Sequence, residues 1–91
     1  MLLRLDRQFL DMEGNPLPLK LDDTLANVLA MSNFGRPSKM IGWAEKLIND
    51  GEIEIDADEA KFLKELIEKT YQITNLAKDQ LLEQIGKLLK D

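Results

Sequence analysis

Apolar and polar residues alternate with period two through Glu52-Ile53-Glu54-Ile55-Asp56, and the alternation then gives way to a helical period. Ile53 and Ile55 project to one side and Glu52, Glu54 and Asp56 to the other, which predicts a half-buried strand with one wet face. Asp56 stands where a helix N-cap belongs, with Glu59 three residues on. This is an acidic version of the capping box, in which two side chains satisfy amides that the first turn leaves unpaired. Asp58 and Glu59 also suit the positive end of the helix dipole. Ala60, Phe62, Leu63, Leu66, Ile67 and Tyr71 then spread over nearly half of a helix surface. A face that wide touches more than one neighbour, so this helix is expected to be central.

Upstream, Leu3 and Leu5 alternate with Arg4 and Asp6, and Phe9 continues their face. Asp11-Met12-Glu13-Gly14-Asn15-Pro16 is turn chemistry. Leu17, Leu19 and Leu21 alternate again, with Pro16 and Pro18 among them. Two short strands in a hairpin are predicted. Proline cannot donate to a ladder, so the second strand is an edge or very short. The Ile53/Ile55 strand is its natural third member, because an isolated hairpin is marginal in water.

Asp22 or Asp23 is positioned to cap the next helix, whose stripe is Leu25, Val28 and Leu29 with Ala26, Ala30 and Met31 beside it. Asn33-Phe34-Gly35-Arg36-Pro37 breaks that helix, and Pro37 suits the first position of another. Met40, Ile41, Trp43, Ala44, Leu47 and Ile48 then cover one side. Gly51 suits the left-handed position after the helix. After Gln72-Ile73-Thr74-Asn75, with Thr74 or Asn75 as cap, a last helix runs to about Lys90. Ala77, Leu81, Leu82, Ile85, Leu88 and Leu89 line one arc of it. The chain reads as a single domain over residues 1–91 of α+β class: an N-terminal β-hairpin plus a third short strand, with four α-helices packed on one face.

Composition narrows the function classes. There is no cysteine, hence no disulfide and no thiolate chemistry or ligation, and the cytoplasm is the default compartment. There is no histidine, the commonest general base and metal ligand. A Ser-His-Asp triad is therefore impossible. No apolar run approaches the ~20 residues of a membrane span, and the opening MLLRLDRQF lacks the apolar core of a signal peptide. Acids outnumber bases 17 to 12, but unevenly. Six acids, Asp50, Glu52, Glu54, Asp56, Asp58 and Glu59, fall within ten residues that contain no base. Such a surface disfavours nonspecific contact with nucleic acid or anionic lipid.

No residues gather for chemistry, and neither a reaction nor a cofactor or metal is expected. Strand alternation splays Glu52, Glu54 and Asp56 along a row instead of around a point, and the EF-hand ligand order is missing. That row is a solvated strand face or a surface for a basic partner, acting as a mimic of nucleic-acid phosphates. Phe34-Gly35-Arg36-Pro37-Ser38-Lys39 brings two bases and a hydroxyl to a helix start, where a phosphate can sit, but it lacks P-loop spacing. A helix–helix connection needs such residues in any case. Trp43 shares helical spacing with Met40 and Leu47 and is expected in the core. In the last helix, Leu81, Ile85, Leu88 and Leu89 are the candidate partner-binding residues, with Glu52 and Glu54 on the acidic row. Either part of the leucine face packs on another chain, including a second copy, or all of it is internal.

Three segments resemble a group of small proteins encoded by tailed bacteriophages and prophages. They are the opening strand with Leu10-Asp11-Met12-Glu13-Gly14-Asn15-Pro16-Leu17, the helix Thr24-Leu25-Ala26-Asn27-Val28-Leu29-Ala30, and Glu52-Ile53-Glu54-Ile55 followed by a helix and Leu76-Ala77-Lys78-Asp79-Gln80-Leu81-Leu82-Glu83. Together they span most of the chain. The group carries no established activity or catalytic residues. The resemblance implies a phage or prophage origin and a non-enzymatic role in the cytoplasm of the bacterial host. The expectation is a protein-interaction module, as in an assembly accessory. The alternative is an acidic inhibitor or DNA mimic that occupies a host nucleic-acid-binding protein.

Overall fold

A computed structural model describes residues 1–33 and 35–89. Among these, four strands and four helices occur in the order β1 (Leu2–Arg4), β2 (Gln8–Leu10), β3 (Pro16–Lys20), α1 (Leu21–Met31), α2 (Pro37–Asp50), β4 (Glu52–Glu54), α3 (Ala57–Lys69) and α4 (Asn75–Leu89). The class is α+β, as the periodicities indicate. The strands form two separate antiparallel pairs, β1–β4 and β2–β3, and not one sheet of three.

The break between the pairs lies at Asp6-Arg7, where the alternation of apolar residues lapses. The Leu5 carbonyl accepts from Arg7 N at 2.9 Å, which bends the chain there. It also accepts from Asp22 N at 2.9 Å, while Arg7 O accepts from Leu21 N. On the N-terminal side of the bend, β1 pairs with β4 in the register Leu2↔Glu54, Leu3↔Ile53 and Arg4↔Glu52. On its C-terminal side, β2 forms the hairpin with β3. Asp11 closes the hairpin turn, its Oδ1 accepting from Glu13 N and Asn15 N at 2.9 Å each. Leu3, Leu5, Ile53 and Ile55 are all buried, so period two does place these apolar side chains on the core face.

Local chemistry explains the helix ends, with one correction. α3 carries both halves of the capping box: Glu59 N donates to Asp56 Oδ1 at 2.8 Å and Asp56 N to Glu59 Oε1 at 2.9 Å. α2 opens on Pro37 and closes on Gly51 at φ 72°, whose N–H returns to Leu47 O. At α4, Thr74 is the cap, Oγ1 accepting from Ala77 N at 3.3 Å. α1 instead starts at Leu21, and neither Asp22 nor Asp23 caps it. The backbone bond from Asp22 to Leu5 draws the helix start back to Leu21. Asp22 is buried inside the first turn, Oδ1 accepting from Asp23 N at 2.7 Å and Oδ2 3.6 Å from Lys20 Nζ.

One continuous core joins all eight elements except the exposed hairpin strand β3, whose Leu17 packs against its edge. α3 is central to it, with Ala60, Leu63, Leu66 and Ile67 all fully buried. Trp43 is buried as expected. Three assignments shift. Tyr71 lies beyond the end of α3 and is exposed, because the helix stops at Lys69 with Thr70 as its C-cap. Ile41 and Ile48 face outward from α2, whose buried side is Met40, Trp43, Ala44 and Leu47. Phe34 and Lys90 lie outside the described residues.

Candidate functional site

The acidic row is largely paired within the chain. Glu52 Oε1 sits 3.6 Å from Arg4 Nε, its cross-strand neighbour, and Glu54 Oε1 lies 2.8 Å from the Met1 ammonium. Asp56 and Glu59 are engaged in the helix cap, and Glu59 Oε2 also pairs with Lys39 Nζ. The hydrogen bond from Lys39, and then that from the Asp56 amide, hold the Glu59 carboxyl below its ordinary value of 4.5. No three carboxylates among the described residues converge to hold a metal ion.

Lys39 is held from two sides. Its ammonium pairs with Glu59 and lies 5.1 Å from the centroid of the Trp43 ring. The small cleft at the start of α2, about 280 Å³, is lined by Arg36 and Lys39 but also by Asp56, Asp58 and Glu59. Those three carboxylates offset its attraction for a phosphate.

The leucine residues of α4 separate into two sets. Leu81 and Ile85 are 0 % and 1 % exposed, locked into the core against α3 and β1. They are unavailable to a partner while α4 is docked, which corrects the expectation for these two. Leu88 and Leu89, like Leu82, are half-buried and pack against the same core. Gln80 adds a polar latch: Leu10 N donates to its Oε1 at 2.9 Å and its Nε2 donates to Leu10 O at 2.7 Å. The amide thus imitates a neighbouring strand and covers one residue of the hairpin edge.

A larger concavity lies elsewhere, at the other end of α4. A groove of about 590 Å³ runs between the β2–β3 hairpin, α1 and the segment entering α4. Phe9, Leu17 and Leu19 form the hairpin wall, and Tyr71, Ile73 and Leu76 the facing one. Asp23, Thr24 and Asn27 of α1 line the polar side. The turn after α3 is fixed by two hydrogen bonds, Gln72 N to Thr70 Oγ1 at 3.2 Å and Gln72 Nε2 to Val28 O at 3.4 Å. Gln72, itself exposed, reaches back to α1 through that second bond, and the preceding Tyr71 stands in solvent. Its exposure is 102 %, and that of Leu19 across the groove is 60 %.

Asp23 is the single carboxylate lining this groove, and no nucleophile–base pair accompanies it. Comparison with protein-family models, with curated proteins and with solved structures gives no significant match to the chain. Sequence reasoning misses the groove because Leu17, Leu19 and Tyr71 read as core positions. The available signals are the prolines beside both leucines and the helix stop at Thr70.

Proposed function

We propose that this chain is a non-enzymatic protein-interaction module that takes up part of another protein in the groove beside Tyr71. Its resemblance to small phage and prophage proteins supports a viral origin and a role in the cytoplasm of the bacterial host, as in an assembly accessory. One observation carries the reading: a whole tyrosine ring and most of a leucine stand in water on opposite rims of an apolar groove. Tyrosine is a frequent anchor at interfaces, where the ring is buried and the hydroxyl keeps a polar partner. No helix among the described residues is long and apolar enough to cross a membrane.

Affinity capture from cells carrying the source genome tests this, using wild type, Tyr71→Ala and the double variant Glu52→Gln/Glu54→Gln as baits. A specific partner kept by the double variant and lost with Tyr71→Ala supports the groove. A partner that depends on Glu52 and Glu54, and that DNA displaces at low salt, favours the acidic-mimic alternative instead. The internal pairing of those two carboxylates weighs against that alternative.

A further inference from the structure

We infer that the groove's partner is an amphipathic helical segment whose apolar side chains are flanked by lysine or arginine. This rests on the interaction reading above and adds the chemistry of the occupant. The groove is lined by apolar side chains, neutral polar groups and one carboxylate, Asp23, with no cation. No described side chain pairs with Asp23, in contrast to Glu52, Glu54 and Glu59, each of which already has a cation. A basic residue beside an apolar anchor therefore meets an open charge, and an acidic one meets repulsion.

Two further observations narrow the occupant. The hairpin wall cannot readily accept an added strand, because two of the five residues of β3 are Pro16 and Pro18 and have no N–H to donate. Recognition then proceeds by side chains entering the groove, as for a helix laid into a cleft, and not by β-augmentation. A second copy of this chain is a poor occupant. The exposed pair Ile41 and Ile48 on α2, one of the apolar patches a second copy could offer, carries Glu45 between the two isoleucines at helical spacing. Docking that patch would bring the acidic Glu45 to a groove whose one charge is Asp23, between molecules of net charge −5 each.

The test is an amide-shift NMR titration of the full chain with three synthetic helical peptides of one length: leucine/lysine, leucine/glutamate and leucine/glutamine. The leucine/lysine peptide is expected to perturb Leu17, Leu19, Thr24 and the turn from Tyr71 to Ala77, and to bind at least about tenfold tighter than the other two. Tyr71→Ala and Asp23→Asn should each weaken it severalfold, while Asp58→Asn, remote from the groove, leaves it unchanged. Both groove positions are exposed, so the variants fold, and thermal melts verify that. Equal or tighter binding of the glutamate or glutamine peptide in the groove overturns the basic-partner inference and leaves the groove reading standing. Equal weakening by Asp58→Asn, with shifts spread over the acidic surface, overturns it as nonspecific attraction. Groove shifts that depend on protein concentration without peptide overturn it in favour of a second copy. If no peptide moves the groove resonances, the interaction reading falls with it.

Discussion

Replacing Gly51 by alanine should be among the most damaging single-methyl changes in this chain. Gly51 closes α2 at φ 72°, in the left-handed region, where an L-residue is disfavoured by roughly 1–2 kcal/mol. Space is short as well. A Cβ there would lie 2.6 Å from Asp6 Cβ, 3.2 Å from Asp22 Oδ2 and 3.4 Å from Asp6 Cα. The obstacle is a Cβ fixed rigidly to the backbone, at the bend where Leu5 N donates to Gly51 O and Leu5 O receives Asp22 N. Forcing a methyl into such a site adds roughly 1–3 kcal/mol. The combined loss, about 2–5 kcal/mol, compares with about 5–14 kcal/mol for a chain of this length. At roughly 2.1 cal/mol/K of unfolding entropy per residue, 1 kcal/mol moves Tm by about 5 °C, so Tm should fall by about 10–25 °C.

Far-UV circular dichroism melts, with urea titrations to verify an unchanged m-value, measure this directly. Gly86→Ala is the internal control. It lies within α4 with nothing within 4 Å of the added carbon, and it should stabilise by about 1 kcal/mol. Asp6→Gly removes the one carbon that the added methyl would overlap outright, so Gly51→Ala should be milder in that background by about 1 kcal/mol or more. A Gly51→Ala protein melting within about 3 °C of wild type would refute the left-handed turn and the close approach of Asp6 together.

Three other perturbations probe separate parts of the structure. Leu81→Ala should destabilise by about 2–5 kcal/mol in the same melts, whereas Tyr71→Ala should stay within about 0.5 kcal/mol of wild type, because one side chain is wholly buried and the other wholly exposed. Asp56→Ala removes the α3 cap and should cost about 1 kcal/mol. Glu59 titrates below its ordinary value of 4.5 in the folded chain, so its contribution to stability is present above that value and is lost as pH falls through the lowered one. Glu59→Gln, which can still accept from the Asp56 amide, should flatten the acid limb of the stability–pH profile below about pH 4.5, and Lys39→Met should return the Glu59 carboxyl toward its ordinary value in an NMR titration.

Local rules are legible wherever sequence neighbours decide the outcome. The Asp56/Glu59 box, the Pro37 start, the Gly51 stop and the Ile53/Ile55 face each depend on residues within one turn or one strand. Tertiary competition sets the rest. Asp22 has good cap chemistry, but its amide is claimed by Leu5, 17 positions earlier in the chain, and the carboxylate is buried instead. The α4 stripe gives the right buried side, yet periodicity does not distinguish the chain's own core from another chain. Leu81 and Ile85 go to the former. Leu17, Leu19 and Tyr71 show the converse. Apolar residues at strand or helix spacing read as core, and only the meeting of hairpin, α1 and the α3–α4 turn leaves them around a groove.

Partner affinity, measured for wild type and a Tyr71→Ala chain shown to melt at the same temperature, bears most directly on whether the groove is the working surface. Binding of the captured protein should weaken at least about thirtyfold, the loss of an anchor worth about 2 kcal/mol. Undiminished affinity with the ring removed would contradict the assignment of this groove.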